Sequence, residues 1–101
     1  MEDRDLRRQH PRFAVETPVE VWSGDVNDRK LSMTGSCVNI SEAGLMMRVP
    51  TAIPLLTQVA FRIGKLNFQG TGTVRHCGNN SGYSMVGVEF DAGQRFDLSE
   101  V

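Results

Sequence analysis

Cysteine and histidine are both scarce in this chain, with two residues of each among 101. The cysteines, Cys37 and Cys77, form no Cys-x-x-Cys pair, and the histidines do not cluster. A disulfide framework needs more cysteines, and a structural zinc site needs closely spaced ligands. The sequence therefore predicts two free, buried thiols, no metal and no cofactor.

Long apolar runs and an excess of one charge are also missing. No segment approaches the roughly 18 to 20 consecutive apolar residues that a membrane-spanning helix needs, and the first ten residues are highly charged, unlike a secretory signal. The 11 basic and 12 acidic residues give a net charge of −1, which disfavours a surface built to hold a nucleic-acid polymer. We expect a cytoplasmic protein without a membrane span, in which any anion site is local.

Helical periodicity is scarce as well, whereas short apolar or alternating runs recur from Val19 onward. Gly, Asn, Ser and Asp separate these runs, as is typical between consecutive β-strands. The predicted strands are 19–22, 31–39, Gly44–Val49, Gln58–Ile63, 66–74 with an extension towards Cys77, and Tyr83–Phe90. Because short strands expose their edges, the pattern predicts an all-β domain closed, or nearly closed, into an antiparallel barrel.

Three further expectations concern the interior and the end of this domain. Glycine inside a strand pattern, at Gly70 and Gly72, indicates a bulge or sharp bend. Aromatic residues that alternate with polar neighbours indicate core positions, namely Trp22, Phe61, Phe68 and Phe90. Residues 94–101 are expected to add at most a short helical turn.

The first twelve residues differ in composition from the rest of the chain. They contain four arginines and almost no apolar residue, and Pro11 prevents a helix from continuing through them. We expect a flexible basic arm over residues 1–12 and a single domain over residues 13–101.

Within the arm, Arg8 and Arg12 are four positions apart and Arg7 precedes them directly, so three guanidinium groups can converge on one anion. Guanidinium offers planar, bidentate donors that fit a phosphate or the O6 and N7 edge of guanine. On the spacing alone, a solvated tail whose arginines contact nothing is the favoured interpretation, because charge runs at termini are common.

A second polar segment, residues 39–44, joins two predicted strands, so its side chains should lie at the rim of the sheet. Asn39 offers both a donor and an acceptor for a base edge, Ser41 offers a hydroxyl, and Gly44 permits a positive φ or a close approach to a ligand. An ordinary Asx-type turn without a ligand explains the same six residues.

The combination is more specific than either segment. An Arg-x-x-x-Arg arm about 30 residues before an Asn-x-Ser-x-x-Gly turn, ahead of a glycine-punctuated β-domain, resembles the PilZ domain family, and Gly87-Val88-Glu89-Phe90 is similar to a late strand of that family. The resemblance implies a six-stranded barrel that binds the bacterial second messenger cyclic di-guanylate (cyclic di-GMP) and catalyses nothing. It also implies roles for individual residues: Arg8 and Arg12 hold phosphate and guanine, Asn39 and Ser41 recognise a base, and Gly44 shapes the turn.

The resemblance has two further implications. An arginine directly before the motif, here Arg7, favours a stacked pair of ligand molecules over one, and a third guanidinium helps to neutralise the added phosphates. A receptor of this kind signals to a downstream protein, which the sequence does not identify, in processes such as motility and biofilm formation.

Other interpretations stay open at this point. One alternative is a PilZ-like adaptor that binds only proteins. The other is a small barrel that stacks nucleic-acid bases on aromatic residues.

Catalysis and metal binding are disfavoured. His76 beside Cys77 lacks a visible base-orienting partner for catalysis. A metal held by His76, Cys77 and Cys37 is disfavoured because thiols on strands are usually core residues.

Overall fold

The computed structural model describes residues 11–25 and 28–98, which contain six β-strands and one 3-10 turn. All strand pairs are antiparallel, and the order β1-β2-β3-β6-β5-β4 closes where β1 pairs with β4. The elements are β1 (Phe13–Asp25), β2 (Asp28–Ile40), β3 (Gly44–Val49), β4 (Gln58–Ile63), the 3-10 turn Gly64–Leu66, β5 (Phe68–Asn80) and β6 (Tyr83–Phe90). The predicted six-stranded antiparallel barrel is confirmed.

Three strands, β3, β4 and β6, have the predicted bounds, and the other three are longer than predicted. β1 begins six residues before Val19, because Val15 and Thr17 continue the inward-facing alternation that leads to Val19 and Val21. The sequence conceals this alternation, since Thr17 is polar and Pro18 is typical of a strand edge. The hydroxyl oxygen of Thr17 is buried and has no hydrogen-bond partner among residues 11–25 and 28–98.

The predicted start of the fifth strand is wrong by two residues. Leu66 belongs to the 3-10 turn, and Asn67 adopts a left-handed conformation with φ 51° and ψ 44° before β5 begins at Phe68. Asparagine is one of the few residues with a side chain that tolerates this conformation. At its other end, β5 continues to Asn80, so the turn to β6 is shorter than the predicted 78–82 segment and contains Gly82 with φ 85°.

Aromatic side chains fill one part of the barrel interior. Phe61 lies 5.6 Å from Phe68 and 5.3 Å from Phe90 between ring centroids. Phe61 and Phe90 are buried and Phe68 packs against the core, as predicted. The prediction for Trp22 is wrong, because Val21 takes the inward position and the half-buried Trp22 therefore faces outward.

The bulge expected near Gly70 and Gly72 is absent, because both residues pair with β4 in continuous register. A Cβ atom at Gly72 would collide with the backbone oxygen of Glu89. The glycine therefore permits a close approach of β5 to β6. The register shift of β5 lies instead between Val74 and His76.

The segment after β6 packs on the barrel without forming a helix in residues 94–97. The side chain of Gln94 accepts a 2.7 Å hydrogen bond from the backbone N–H of Thr71, and Phe96 contacts Phe68 with 5.1 Å between ring centroids. The expected helical turn is thus absent from residues 94–97, and its last three positions, 99–101, lie outside the described residues. No helix within residues 11–25 and 28–98 is long and apolar enough to span a membrane.

Candidate functional site

A groove of about 310 Å³ lies on the outer face of the barrel, where β3, β6 and β5 are adjacent and the β2–β3 turn borders them. Three of the residues predicted to bind a ligand, Arg12, Ser41 and Gly44, are part of its lining. The remaining lining residues are Ala43, Met46, Arg75, His76, Gly87, Val88 and Glu89. The arm motif and the turn motif therefore meet at one concave surface.

Arg12 lies directly before β1, and its guanidinium is exposed beside the end of β2. The antiparallel register pairs Phe13 with Ile40 and Ala14 with Asn39, which brings the start of β1 next to the turn motif. Nη1 of Arg12 donates a 2.9 Å hydrogen bond to the side-chain oxygen of Asn39. Asn39 does not line the groove itself, and its link to the groove is this hydrogen bond with Arg12, which does line it.

Ser41 is buried, with 3% of its surface exposed, and its hydroxyl is engaged within the turn. Ser41 Oγ accepts hydrogen bonds from the backbone N–H groups of Gly44 at 3.1 Å and Ala43 at 3.3 Å, and it donates to the carbonyl oxygen of Gly44 at 3.3 Å. The backbone N–H of Ser41 donates to the same carbonyl oxygen at 2.8 Å. The side chain therefore fixes the shape of the loop that forms one wall of the groove.

Gly44 is required for a close approach between strands. Its φ lies outside the left-handed region, so conformational freedom does not explain the glycine. A Cβ atom there would lie 2.6 Å from the carbonyl oxygen of Val88 in β6. Of the two roles considered for this glycine, close approach is the relevant one, and the group approached is the neighbouring backbone.

A β-bulge in β5 brings two polar side chains to the groove. Val74 pairs with Val88 and His76 with Gly87, which leaves Arg75 as an additional residue in β5. Arg75 and His76 are both exposed and both line the groove, instead of facing opposite sides of the sheet. Further register shifts occur in β1 between Ala14 and Thr17 and in β2 between Cys37 and Asn39. Bulges are frequent beside binding sites because they redirect side chains.

The charges lining the groove are mixed, with a surplus of cations. Arg12 and Arg75 contribute two guanidinium groups and Glu89 one carboxylate, while the chain as a whole carries −1. Nε of Arg75 donates a 2.8 Å hydrogen bond to Oε1 of Glu89. The groove is therefore a local cationic surface on a slightly acidic protein, which is the pattern expected for a site that binds a small anion.

Two of the predicted ligand residues, Arg7 and Arg8, lie outside the described residues, as does His10. Arg12 is thus the arginine of the motif that the structure locates. Met46, Arg75, Gly87 and Glu89 line the groove but are not among the residues predicted from the sequence. Their place in the groove follows from the register of β6 with β3 and β5, which the sequence does not show.

A larger groove of about 540 Å³ lies between β1, β4, β5 and the segment that follows β6. Trp22, Gly70 and Gln94 are among its lining residues, and Arg95 is the charged residue in that lining. It contains none of the residues predicted to bind a ligand. Volume alone would favour this groove, but the convergence of charged and motif residues favours the smaller one.

Cys37 lies beneath the turn motif and has a structural role. It is fully buried, its thiol donates a 3.4 Å hydrogen bond to the backbone oxygen of Asn39, and burial raises the pKa of the thiol to about 12. Cys77 is half-buried, and both cysteines are free. In the part of the chain that the structure describes, no three side chains of the types that bind metals lie close enough to hold an ion, including His76 with the two cysteines.

A family model described as the PilZ domain matches residues 6–99, a range that contains the whole barrel, the turn at 39–44 and the arginines at 7, 8 and 12. No curated protein matches the chain.

Proposed function

The chain belongs to the PilZ domain family, and from that membership we propose that it is a receptor for cyclic di-GMP that binds the messenger in the groove beside Arg12. PilZ domains generally bind this dinucleotide and are non-catalytic receptor domains. We accordingly propose no catalytic step for this chain. We also propose that the protein is cytoplasmic, since the ligand is an intracellular messenger.

The observation that carries the proposal is the contact between the two motifs. Arg12 Nη1 lies 2.9 Å from the side-chain oxygen of Asn39, next to a groove that Ser41 and Gly44 also line. Residues far apart in sequence thus converge beside the cationic groove, whose charge suits a dianionic ligand. A guanidinium has five N–H donors, so Arg12 can keep its contact with Asn39 while it donates to a phosphate.

The roles of the individual residues follow from their chemistry and position. Arg8 and Arg12 hold phosphate and guanine, and Arg7 adds a third guanidinium. Asn39 supplies amide groups for a base edge. Ser41 and Gly44 set the wall of the groove, Ser41 through its bonds within the turn and Gly44 through its close approach to β6.

Signalling in this proposal is an ordering step. Three neighbouring guanidinium groups repel one another, and a dianionic ligand that bridges the arm and the barrel offsets that repulsion. Ligand binding then fixes residues 4–12 over the groove and presents a new surface to a downstream protein.

Isothermal titration calorimetry with cyclic di-GMP tests this function, because it reports affinity and stoichiometry together. We expect binding of two messenger molecules per chain, and one molecule for Arg7→Ala. NMR shifts should include the amides of the turn at 39–44. The absence of both heat and NMR shifts at millimolar messenger would rule the function out.

Two controls distinguish the alternatives. Single-stranded DNA or RNA that binds in a salt-sensitive manner, while cyclic di-GMP does not, would favour a nucleic-acid-binding barrel. Capture of a protein partner that is unaffected by the messenger would favour an adaptor that binds only proteins.

A further inference from the structure

The ion pair between Arg75 and Glu89 lies in the groove. The side chains are 57% and 59% exposed, and exposed ion pairs contribute little to folding. Arg75 reaches this position because of the bulge in β5, whereas Glu89 follows the regular alternation of β6. The bulge thus places a cation beside an anion on the surface that the proposed ligand would contact.

Glycine occupies two positions next to this pair. Gly87 has no side chain, and a Cβ atom there would lie 3.3 Å from Cβ of His76 and 3.5 Å from Cε of Met46. Gly44 stands directly opposite Glu89 on β3 and likewise has no side chain. Gly87 is buried between the side chains of His76 and Met46. A planar ring can therefore lie against the thioether of Met46 beside Gly87, with one edge towards Glu89. Thioether sulfur makes favourable contacts with aromatic rings.

The pair has the donor and acceptor pattern of one particular base edge. The Watson–Crick edge of guanine presents an acceptor, O6, followed by two donors, N1–H and the N2 amino group. Arg75 presents donors, and the carboxylate of Glu89 presents two acceptor oxygens. Within the described residues, Oε1 of Glu89 binds Arg75 and Oε2 has no hydrogen-bond partner. One oxygen is thus available without breaking the pair.

We propose that Arg75 and Glu89 recognise the Watson–Crick edge of a guanine that lies against Met46 in the groove, and so select guanine over adenine in the bound dinucleotide. This inference rests on the proposed function of the groove. Adenine has the reverse pattern, with a donor at N6 and an acceptor at N1. Its N6 amino group would face a guanidinium and its N1 lone pair would face a carboxylate, so both contacts are unfavourable.

Calorimetry with three dinucleotides tests the proposal: cyclic di-GMP, cyclic di-IMP, which lacks the N2 amino group, and cyclic di-AMP. The unsubstituted protein should bind cyclic di-GMP on the order of 10-fold more tightly than cyclic di-IMP, and cyclic di-AMP most weakly. Glu89→Gln should bind cyclic di-GMP less tightly, and its ratio of affinities for cyclic di-GMP and cyclic di-IMP should fall towards one. The N2 amino group loses its advantage when the carboxylate is removed.

Glu20→Gln is the matched control, because Glu20 pairs with Arg62 at 3.4 Å with 56% and 55% exposure, and neither residue lines the groove. This variant should keep both the affinity and the ratio. An unchanged ratio in Glu89→Gln, with normal binding of cyclic di-GMP, would overturn this inference and leave the function standing. A similar gain in affinity for all three ligands would overturn it too, since Glu89 would then only repel phosphate. Failure of the unsubstituted protein to bind any of them would overturn the proposed function and this inference together.

Discussion

The hydroxyl of Ser41 accepts a hydrogen bond from the backbone N–H of Gly44 at 3.1 Å and lies 3.3 Å from the carbonyl oxygen of the same residue. Two of the three defining positions of the turn motif therefore hold each other, and the serine is buried beneath the groove wall. Its spacing of three residues is the spacing at which a side-chain hydroxyl closes a short turn. The motif is thus a structural unit as well as a candidate binding element.

We predict that Ser41→Ala lowers the free energy of unfolding by about 1–3 kcal/mol, because buried backbone groups lose their partner. The groove wall should loosen, and affinity for cyclic di-GMP should fall as well. Urea denaturation measures the first effect and calorimetry the second. Ser32→Ala is the control, since Ser32 is exposed and its substitution should change stability by less than about 0.5 kcal/mol. Equal stability of the two variants would show that the hydroxyl does not support the turn.

Gly44→Ala should destabilise the protein through the contact between β3 and β6. The added methyl group would lie 2.6 Å from the carbonyl oxygen of Val88, and backbone must move to accommodate it. Overpacking of this kind costs about 1–3 kcal/mol, which urea denaturation measures. Gly64→Ala is a matched control, because no heavy atom in the described part of the chain lies within 4 Å of a Cβ atom at Gly64. If both variants have the stability of the parent, the close approach is not a constraint on this residue.

The barrel could be predicted because each strand carries its own alternation of apolar and polar residues, which can be recognised without knowing the neighbouring strands. β3, β4 and β6 combine inward-facing apolar residues with turn residues at both ends, so local sequence determines their bounds. The predicted β1 is shorter than the observed strand, because Thr17 occupies an inward position and Pro18 interrupts the apolar alternation. Pairing with β2 extends the strand through both residues despite their low tendency to continue it.

The candidate site could be predicted only in part. Arg12, Ser41 and Gly44 belong to motifs that are contiguous in sequence, whereas Arg75 and Glu89 belong to the groove because of a register shift between two strands. A register shift depends on which residues face each other across the sheet. The sequence of one strand alone does not show which residues of the neighbouring strand it will face. The engagement of the Ser41 hydroxyl within the turn is likewise visible only in three dimensions.

Burial of Cys37 should make stability decrease in alkaline solution. The pKa of this thiol is raised from 9.0 to about 12 by burial, so the folded state keeps its proton where the unfolded state loses it. The stabilisation is complete below pH 9.0 and is lost as pH rises from 9.0 towards about 12, with a slope of about 1.4 kcal/mol per pH unit. Urea denaturation at pH 8 and pH 10 should therefore show a loss in the parent that exceeds the loss in Cys37→Ala by about 1.4 kcal/mol. Identical losses would mean that Cys37 does not titrate differently in the two states.

Arg12→Ala should weaken binding of cyclic di-GMP by roughly 30-fold to 1000-fold, which corresponds to about 2–4 kcal/mol for a charged contact desolvated by the ligand. Stability should change by less than about 0.5 kcal/mol, because the bond to Asn39 is exposed. Arg12→Lys should recover only part of the affinity, since a lysine supplies the charge without the planar pair of donors. Arg62→Ala removes an exposed arginine outside the groove, paired with Glu20, and should bind like the parent. A loss below threefold for Arg12→Ala, measured by calorimetry, would show that Arg12 is not part of the binding site. If Arg12 donates to a phosphate of the ligand, its removal leaves that phosphate without a charged hydrogen-bond partner, and the affinity must fall by more than this factor.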